Sequence, residues 1–255
     1  MKEIPINFKV NEEEHIVGVF HFPDKEKFPI LIICHGFGSD KYGPNRFFVK
    51  LARELSKNGY GVLRFDFRGC GDSSREFHEQ TLSTMLEDLD VAISECIKIP
   101  NFDGKLGIIA HSLAARISLI KASQNEKISF LILLTPRISD PEDFYPRVVF
   151  EELERIGYIR KVIGKKVYKI EKEKIEEDKK YKISEIVKKI KIPVKIICGE
   201  LDEVTPPSEG LKLKNMLKEK CEIKILENLD HYFSSDNSRK EVIRIILEWL
   251  EELKR

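Results

Sequence analysis

The chain has little of what would mark a secreted, metal-dependent or membrane protein. Its five cysteines, Cys34, Cys70, Cys96, Cys198 and Cys221, are scattered with no C-x-x-C pair. An odd, dispersed set in a chain of 255 residues argues against a disulfide framework and reads as reduced, buried thiols. No His, Cys and Asp residues fall at ligand spacing, so no metal site is expected. No apolar run approaches the ~18–20 residues of a membrane span. Met1-Lys2-Glu3 leads straight into folded-looking sequence without the apolar stretch of a signal peptide, so the expected location is cytoplasmic. The net charge of +1 gives no argument for nucleic acid or an acidic membrane surface. Glutamine is scarce, at Gln80 and Gln124 only, whereas charged residues reach 34%. Typical soluble domains carry ~25%. Few labile amides and a dense charged surface predict a thermostable protein.

What is present alternates strand and helix. Ile4 to Val10 and His15 to Phe22 alternate apolar and polar residues and predict a hairpin. Ile30 to Cys34, Gly61 to Phe67, Leu106 to Ala110, Ile128 to Leu134 and Pro193 to Cys198 are apolar runs of buried strands, and Glu222 to Leu226 is the last strand. Helical spacing covers Phe47 to Lys57, Thr81 to Ile97, Leu113 to about Ser123, Ser208 to Lys220 and Asn237 to Leu253. This order predicts an α/β fold, a mostly parallel central sheet with helices on both faces and right-handed crossovers. Residues 137–190 break the rhythm. They are rich in Lys, Glu and Tyr, contain Gly157 and Gly164, and hold no strong buried strand. The expectation is a core of residues 1–136 and 191–255, with 137–190 as a small insertion or lid after the sixth strand. The charge runs at 165–180 and 212–220 read as solvated helix faces.

The chemistry centres on Lys105 to Ala115, Lys-Leu-Gly-Ile-Ile-Ala-His-Ser-Leu-Ala-Ala. A strand, a sharp turn and a helix meet at Ser112, with small residues two places either side. This is the layout of a nucleophile elbow, although Ala110 and Ala114 stand where glycines are usual. A serine hydroxyl needs a base within reach and a third group to orient that base. Asp202 and His231 each follow a strand, and in open α/β sheets the strand ends share one rim where sites lie. Glu200, Glu203 or Asp230 are the alternative carboxylates. Taken alone, Ser112 could equally be a helix cap. His35 and His111 flank the site and read as structural, and Asp66, Arg68 and Asp72 as ties for a loop.

With these pieces in order, the sequence resembles the α/β-hydrolase superfamily over nearly its whole length. The matching pieces are His35-Gly36-Phe37-Gly38, Arg64-Phe65-Asp66-Phe67-Arg68-Gly69-x-Gly71-Asp72-Ser73, the Ser112 elbow, Gly199-x-x-Asp202 and Asp230-His231. More narrowly it is similar to serine esterases of the feruloyl/cinnamoyl type. The resemblance implies that the backbone N–H groups of Phe37 and Leu113 form an oxyanion hole. It implies a serine hydrolase acting on small to medium carboxylic esters through an acyl-enzyme, without a cofactor or metal. A thioesterase, a monoacylglycerol lipase or a serine peptidase would use the same triad, and a non-catalytic small-ligand binder would use the same fold. Phe144, Tyr145, Phe150, Tyr158 and Tyr168 are the expected pocket residues. The expected partner is a small-molecule ester, with a homodimer left open.

Overall fold

Eight strands pair into one sheet whose parallel part carries the candidate residues at a single edge. The computed structural model describes residues 1–163 and 166–254, so Gly164 lies outside the described residues. In chain order the first elements are β1 (Lys2–Lys9), β2 (His15–Phe22), β3 (Phe28–Cys34), α1 (Phe47–Lys57), β4 (Gly61–Phe65), α2 (Leu82–Ile97), β5 (Phe102–His111), α3 (Leu113–Ala122) and β6 (Ile128–Leu134). Next come α4 (Pro141–Phe144), α5 (Arg147–Ile156), β7 (Tyr158–Ile163), β8 (Lys166–Glu171), α6 (Lys172–Lys179) and α7 (Ile183–Ile186). The chain then returns to the sheet with β9 (Val194–Gly199), α8 (Pro207–Leu217), β10 (Cys221–Leu226) and α9 (Asp236–Glu252).

The strand order is β1-β2-β4-β3-β5-β6-β9-β10. β2 runs antiparallel to β1 and to β4, and every pair from β4 to β10 is parallel. Central strands bury both faces. Leu31, Ile33, Ile109, Ile132 and Leu134 pack toward α1 and α9, and Ile32, Ile108, Leu131 and Leu133 toward α2 and α3. That two-sided burial is why these strands are unbroken apolar runs rather than alternating ones. The helix boundaries follow local signals. α2 is closed at its start by reciprocal bonds between Thr81 and Thr84, a capping box.

Between β6 and β9 two features depart from expectation. β7 and β8 form an antiparallel hairpin of their own. The sequence showed no strong strand there because the hairpin has little to bury. Val162 and Val167 are exposed, and among the described residues of the hairpin the buried apolar ones are Ile159 and Ile170, which join Leu153 and Ile175 in a small separate cluster. The 165–180 charge run is therefore half strand and half helix, since β8 occupies 166–171 and α6 begins at Lys172. One buried ion cluster docks this segment on the sheet's helices. Arg116 of α3 donates through Nε to Asp178 Oδ1 of α6 at 2.5 Å and through Nη1 to Asp140 Oδ1 at 3.1 Å.

Candidate active site

Ser112 sits between the end of β5 and the first turn of α3 with φ +54° and ψ −119°. A non-glycine residue in that conformation costs on the order of 1–3 kcal/mol and persists only where the surroundings enforce it. Here the enforcement is a pair of backbone bonds, Ser112 N–H to Leu134 O at 3.0 Å and Arg137 N–H to Ser112 O at 3.1 Å. Ala110 and Ala114 are fully buried and fit the turn. The closest approach is made instead by the loop after β3. A Cβ on Gly36 would stand 2.9 Å from Ser112 Cβ, so only glycine lets that loop lie against the elbow.

The loop after β9 brings Asp202 to His231. Asp202 Oδ2 lies 2.8 Å from His231 Nδ1. An ionised carboxylate only accepts, so Nδ1 carries the proton and Nε2 is left as the acceptor. Asp202 is itself held. Its Oδ1 accepts from the backbone N–H of Val204 at 2.9 Å and of Thr205 at 2.7 Å. Thr205 Oγ1 stands 2.9 Å from Asp202 Oδ2, 3.0 Å from Thr135 O and 3.1 Å from His231 Nδ1. Glu200 and Glu203 are exposed, and Asp230 is occupied by Ser234 N–H at 2.8 Å and Ser234 Oγ at 2.6 Å. Asp202 is thus the carboxylate joined to the imidazole.

Two other histidines are fastened in place by hydrogen bonds. His35 donates from Nδ1 to Gly36 O at 2.9 Å and accepts at Nε2 from Phe67 N–H at 3.0 Å, which staples the loop carrying Phe37 to the end of β4. His111 Nε2 donates to His231 O at 3.1 Å. Burial holds both imidazoles below their usual range and therefore neutral. Lys41 closes the neighbouring loop on Asp66 at 2.6 Å and Asp72 at 2.5 Å. Burial pushes the Cys70 thiol up to about 11, so it offers no thiolate nucleophile at neutral pH. Among the described residues no group of three His, Cys, Asp or Glu is placed to hold a metal ion.

Ser112, His231, Phe37 and Leu113 line one cavity of about 280 Å³. Ser112 and His231 share it without a direct hydrogen bond between their side chains. Among the described residues the backbone N–H groups of Phe37 and Leu113 donate to no protein acceptor.

The family model for the α/β-hydrolase fold matches residues 29–156, half of the chain. The chain belongs to the α/β-hydrolase fold family. A second model, of the prolyl oligopeptidase family, matches residues 152–254. An uncharacterized 31.7 kDa protein of Escherichia coli is 24% identical over 241 residues, 78% of this chain and 82% of that protein. A monoglyceride lipase homolog of Monkeypox virus is 23% identical over 263 residues, 87% and 88% of the two chains. Among solved structures, ferulic-acid-bound Est1E of Butyrivibrio proteoclasticus aligns with a TM-score of 0.83 at 20% identity, over 97% of this chain and 98% of its own.

In this α/β-hydrolase only part of the expected aromatic lining faces the cavity. Phe144 and Tyr145 line it, and Phe150, Tyr158 and Tyr168 do not. Phe150 packs on the small cluster around Leu153 with Lys179 over its ring, and Tyr158 is covered by Arg160 and Lys169. Tyr168 lies behind the cavity wall. Its O–H donates to Gly38 O at 2.9 Å and its ring meets Phe37 and Phe77. Sequence reasoning missed four charged liners, Arg137, Lys161, Lys174 and Asp178. They come from the loop after β6, from β7 and, for Lys174 and Asp178, from one turn of α6, so only that last pair shares a spacing along the chain.

Proposed function

We propose that this hydrolase cleaves small to medium carboxylic esters, with Ser112 as nucleophile, His231 as general base and Asp202 as the group that orients it. The observation that carries the reading is the 2.8 Å bond from His231 Nδ1 to Asp202, which leaves Nε2 free in the cavity that Ser112 also lines. Ser112 Oγ attacks the ester carbonyl as its proton passes to His231 Nε2. The negative oxygen that forms is held by the N–H groups of Phe37 and Leu113, donors without other partners. Each such donor is worth roughly 2.7–4 kcal/mol in comparable sites. The C–O bond to the alcohol then breaks and His231 returns the proton to the departing alkoxide. Water, activated by the same imidazole, clears the acyl group from Ser112.

Residues 137–190 serve as a cover that shapes the acyl preference. Phe144, Tyr145, Lys161, Ile170, Lys174 and Ile175 bring one wall of the cavity from this segment. The monoglyceride lipase homolog and the ferulic-acid-bound structure among the matches support the same reading. A serine peptidase is the second reading, favoured by the prolyl oligopeptidase match over residues 152–254, which hold Asp202 and His231.

The test is turnover of 4-nitrophenyl esters of graded acyl length beside an amino-acyl 4-nitroanilide, with a fluorophosphonate trap read by mass spectrometry. Ester turnover, a single phosphonyl adduct on Ser112 and a silent Ser112→Ala protein are expected. Turnover of the anilide alone would replace the ester reading with the peptidase one, and an adduct elsewhere would remove Ser112.

A further inference from the structure

We propose, on the ester-hydrolase reading above, that the cavity selects an ester whose non-reacting end carries an anion, a carboxylate or a phosphate. Lys161, Lys174 and Arg137 would receive it.

These three cations line the cavity against one carboxylate, Asp178. Both its oxygens are taken by arginines, Oδ1 by Arg116 at 2.5 Å and Oδ2 by the two Nη atoms of Arg137 at 3.4 and 3.5 Å, so it leaves the two lysines without a carboxylate partner. The Lys174 ammonium is buried and has no hydrogen-bond partner among the described residues. It stands over two ring faces, Phe77 at 4.4 Å and Phe37 at 5.4 Å. Rings attract a cation but cannot accept its three N–H donors in the way an oxygen does. Arg137 Nε is likewise buried and unpartnered, with its guanidinium 4.4 Å from the Phe144 ring. Lys161 Nζ lies 5.2 Å from that same ring and 5.5 Å from the Phe37 ring.

An uncompensated cation in a half-dry site is a standing cost, and in a cleft it marks a place where a ligand supplies the missing charge. The cost is visible in Lys174, whose pKa burial pushes down to about 8, and in Lys161, also held below the usual lysine range. Both lysines reach the ring of Phe37, whose N–H is assigned to the oxyanion. The anion and the scissile carbonyl therefore share one cavity of about 280 Å³, which suits a short dicarboxylate half-ester or a compact phosphate-bearing ester.

The experiment compares kcat/KM for 4-nitrophenyl butyrate and for the monoanionic 4-nitrophenyl hemiglutarate in the wild-type chain, Lys161→Met and Lys174→Met. The wild-type protein should prefer the hemiglutarate. The ratio should fall roughly 10–100-fold in Lys174→Met, the effect of one hydrogen bond to a charged group. An unchanged ratio would overturn the proposal, as would an equal loss on both esters, which would assign the lysines to the reacting centre.

A second measurement needs no turnover. Calorimetric titration of the Ser112→Ala protein with glutarate and with inorganic phosphate at pH 8, in two buffers of different ionisation enthalpy, should show binding with proton uptake that Lys174→Met removes. Glutarate binding assigns a carboxylate and phosphate binding a phosphate. Failure of both at millimolar concentration rejects the anion site, whereas absence of butyrate turnover rejects only the ester chemistry.

Discussion

The sheet and the segment between β6 and β9 hold themselves together by opposite means. β5 is paired on both sides, to β3 and β6, and its Leu106, Ile108, Ile109 and Ala110 are fully buried. The β7–β8 hairpin pairs only with itself. It leaves Val162 and Val167 at 66% and 61% exposure, and among the described residues its cluster has four buried members. Ser112, Asp202 and His231 all follow strands of the sheet, where interlocked packing leaves little freedom. The cations that we assign to selection come from the segment or its root. A rigid frame suits groups that must meet within tenths of an ångström. A lightly packed cover can change its lining without disturbing them.

The sharpest way to break this contrast is at the frame's reacting edge. Asp202→Asn should cut kcat by about 10⁴-fold, because an amide N–H facing Nδ1 favours the wrong imidazole tautomer. The thermal midpoint should barely move. Near-normal turnover with 4-nitrophenyl acetate would end the assignment of Asp202.

Packing comes next. Ile32→Ala should lower global stability by about 2–5 kcal/mol, read from urea unfolding, since its cavity cannot collapse between β3 and α2. Leu153→Ala deletes a residue just as buried, at 2% exposure. It should leave the global midpoint within about 1 kcal/mol and instead speed amide exchange in 147–171, where opening is local. Equal global losses in the two variants would make the segment part of one cooperative core.

The frame should also be the acid-sensitive region. His21 in β2 is fully buried and accepts at Nε2 from Arg64 Nε at 3.0 Å. Burial, reinforced by the Arg64 charge, pushes its pKa down to about 4. An unfolded imidazole titrates near pH 6.5, so between pH 6.5 and 4 the unfolded chain binds the extra proton. The stability that His21 contributes is complete above about pH 6.5 and is lost as pH falls toward 4, by roughly 2–3 kcal/mol. His21→Gln keeps an acceptor for Arg64 and should make the fall in urea midpoint from pH 7 to 4.5 smaller. A fall of the same size would exclude His21 as its source.

The smallest effect sits on the seam. Tyr168→Phe removes the O–H bond to Gly38 O that ties β8 to the Phe37 loop. A loss of about 1 kcal/mol, several-fold in kcat/KM, is expected with the sheet's stability unchanged. No change in kcat/KM would mean that the segment does not help to hold the oxyanion loop.

The alternation of apolar runs and helical faces determined the sheet and its helices, because each strand's burial on two faces is written as local hydrophobicity. α1 occurs at Phe47–Lys57, where its spacing and the following Asn58-Gly59 place it. The elbow was legible for a similar reason. Small residues around Ser112 are a local steric demand, and strand ends of a parallel sheet converge whatever the loops between them contain. Asp202 and His231 were legible as strand-end groups, with Asp202 already preferred among the nearby carboxylates, and the structure adds the 2.8 Å bond between the two while Asp230 is held by Ser234.

Tertiary structure alone decided the segment. Its hairpin has charges on both faces, so periodicity does not say which side chains turn inward. Phe144 and Tyr145 enter the cavity while Phe150, Tyr158 and Tyr168 pack elsewhere. The gathering of Arg137, Lys161 and Lys174 depends on α6 and the hairpin docking against the Phe37 loop and on Arg116 consuming Asp178. Long-range contacts of this kind bring together residues whose separation along the chain follows no repeat, and a charged side chain looks the same in sequence whether it ends in solvent or in a cavity.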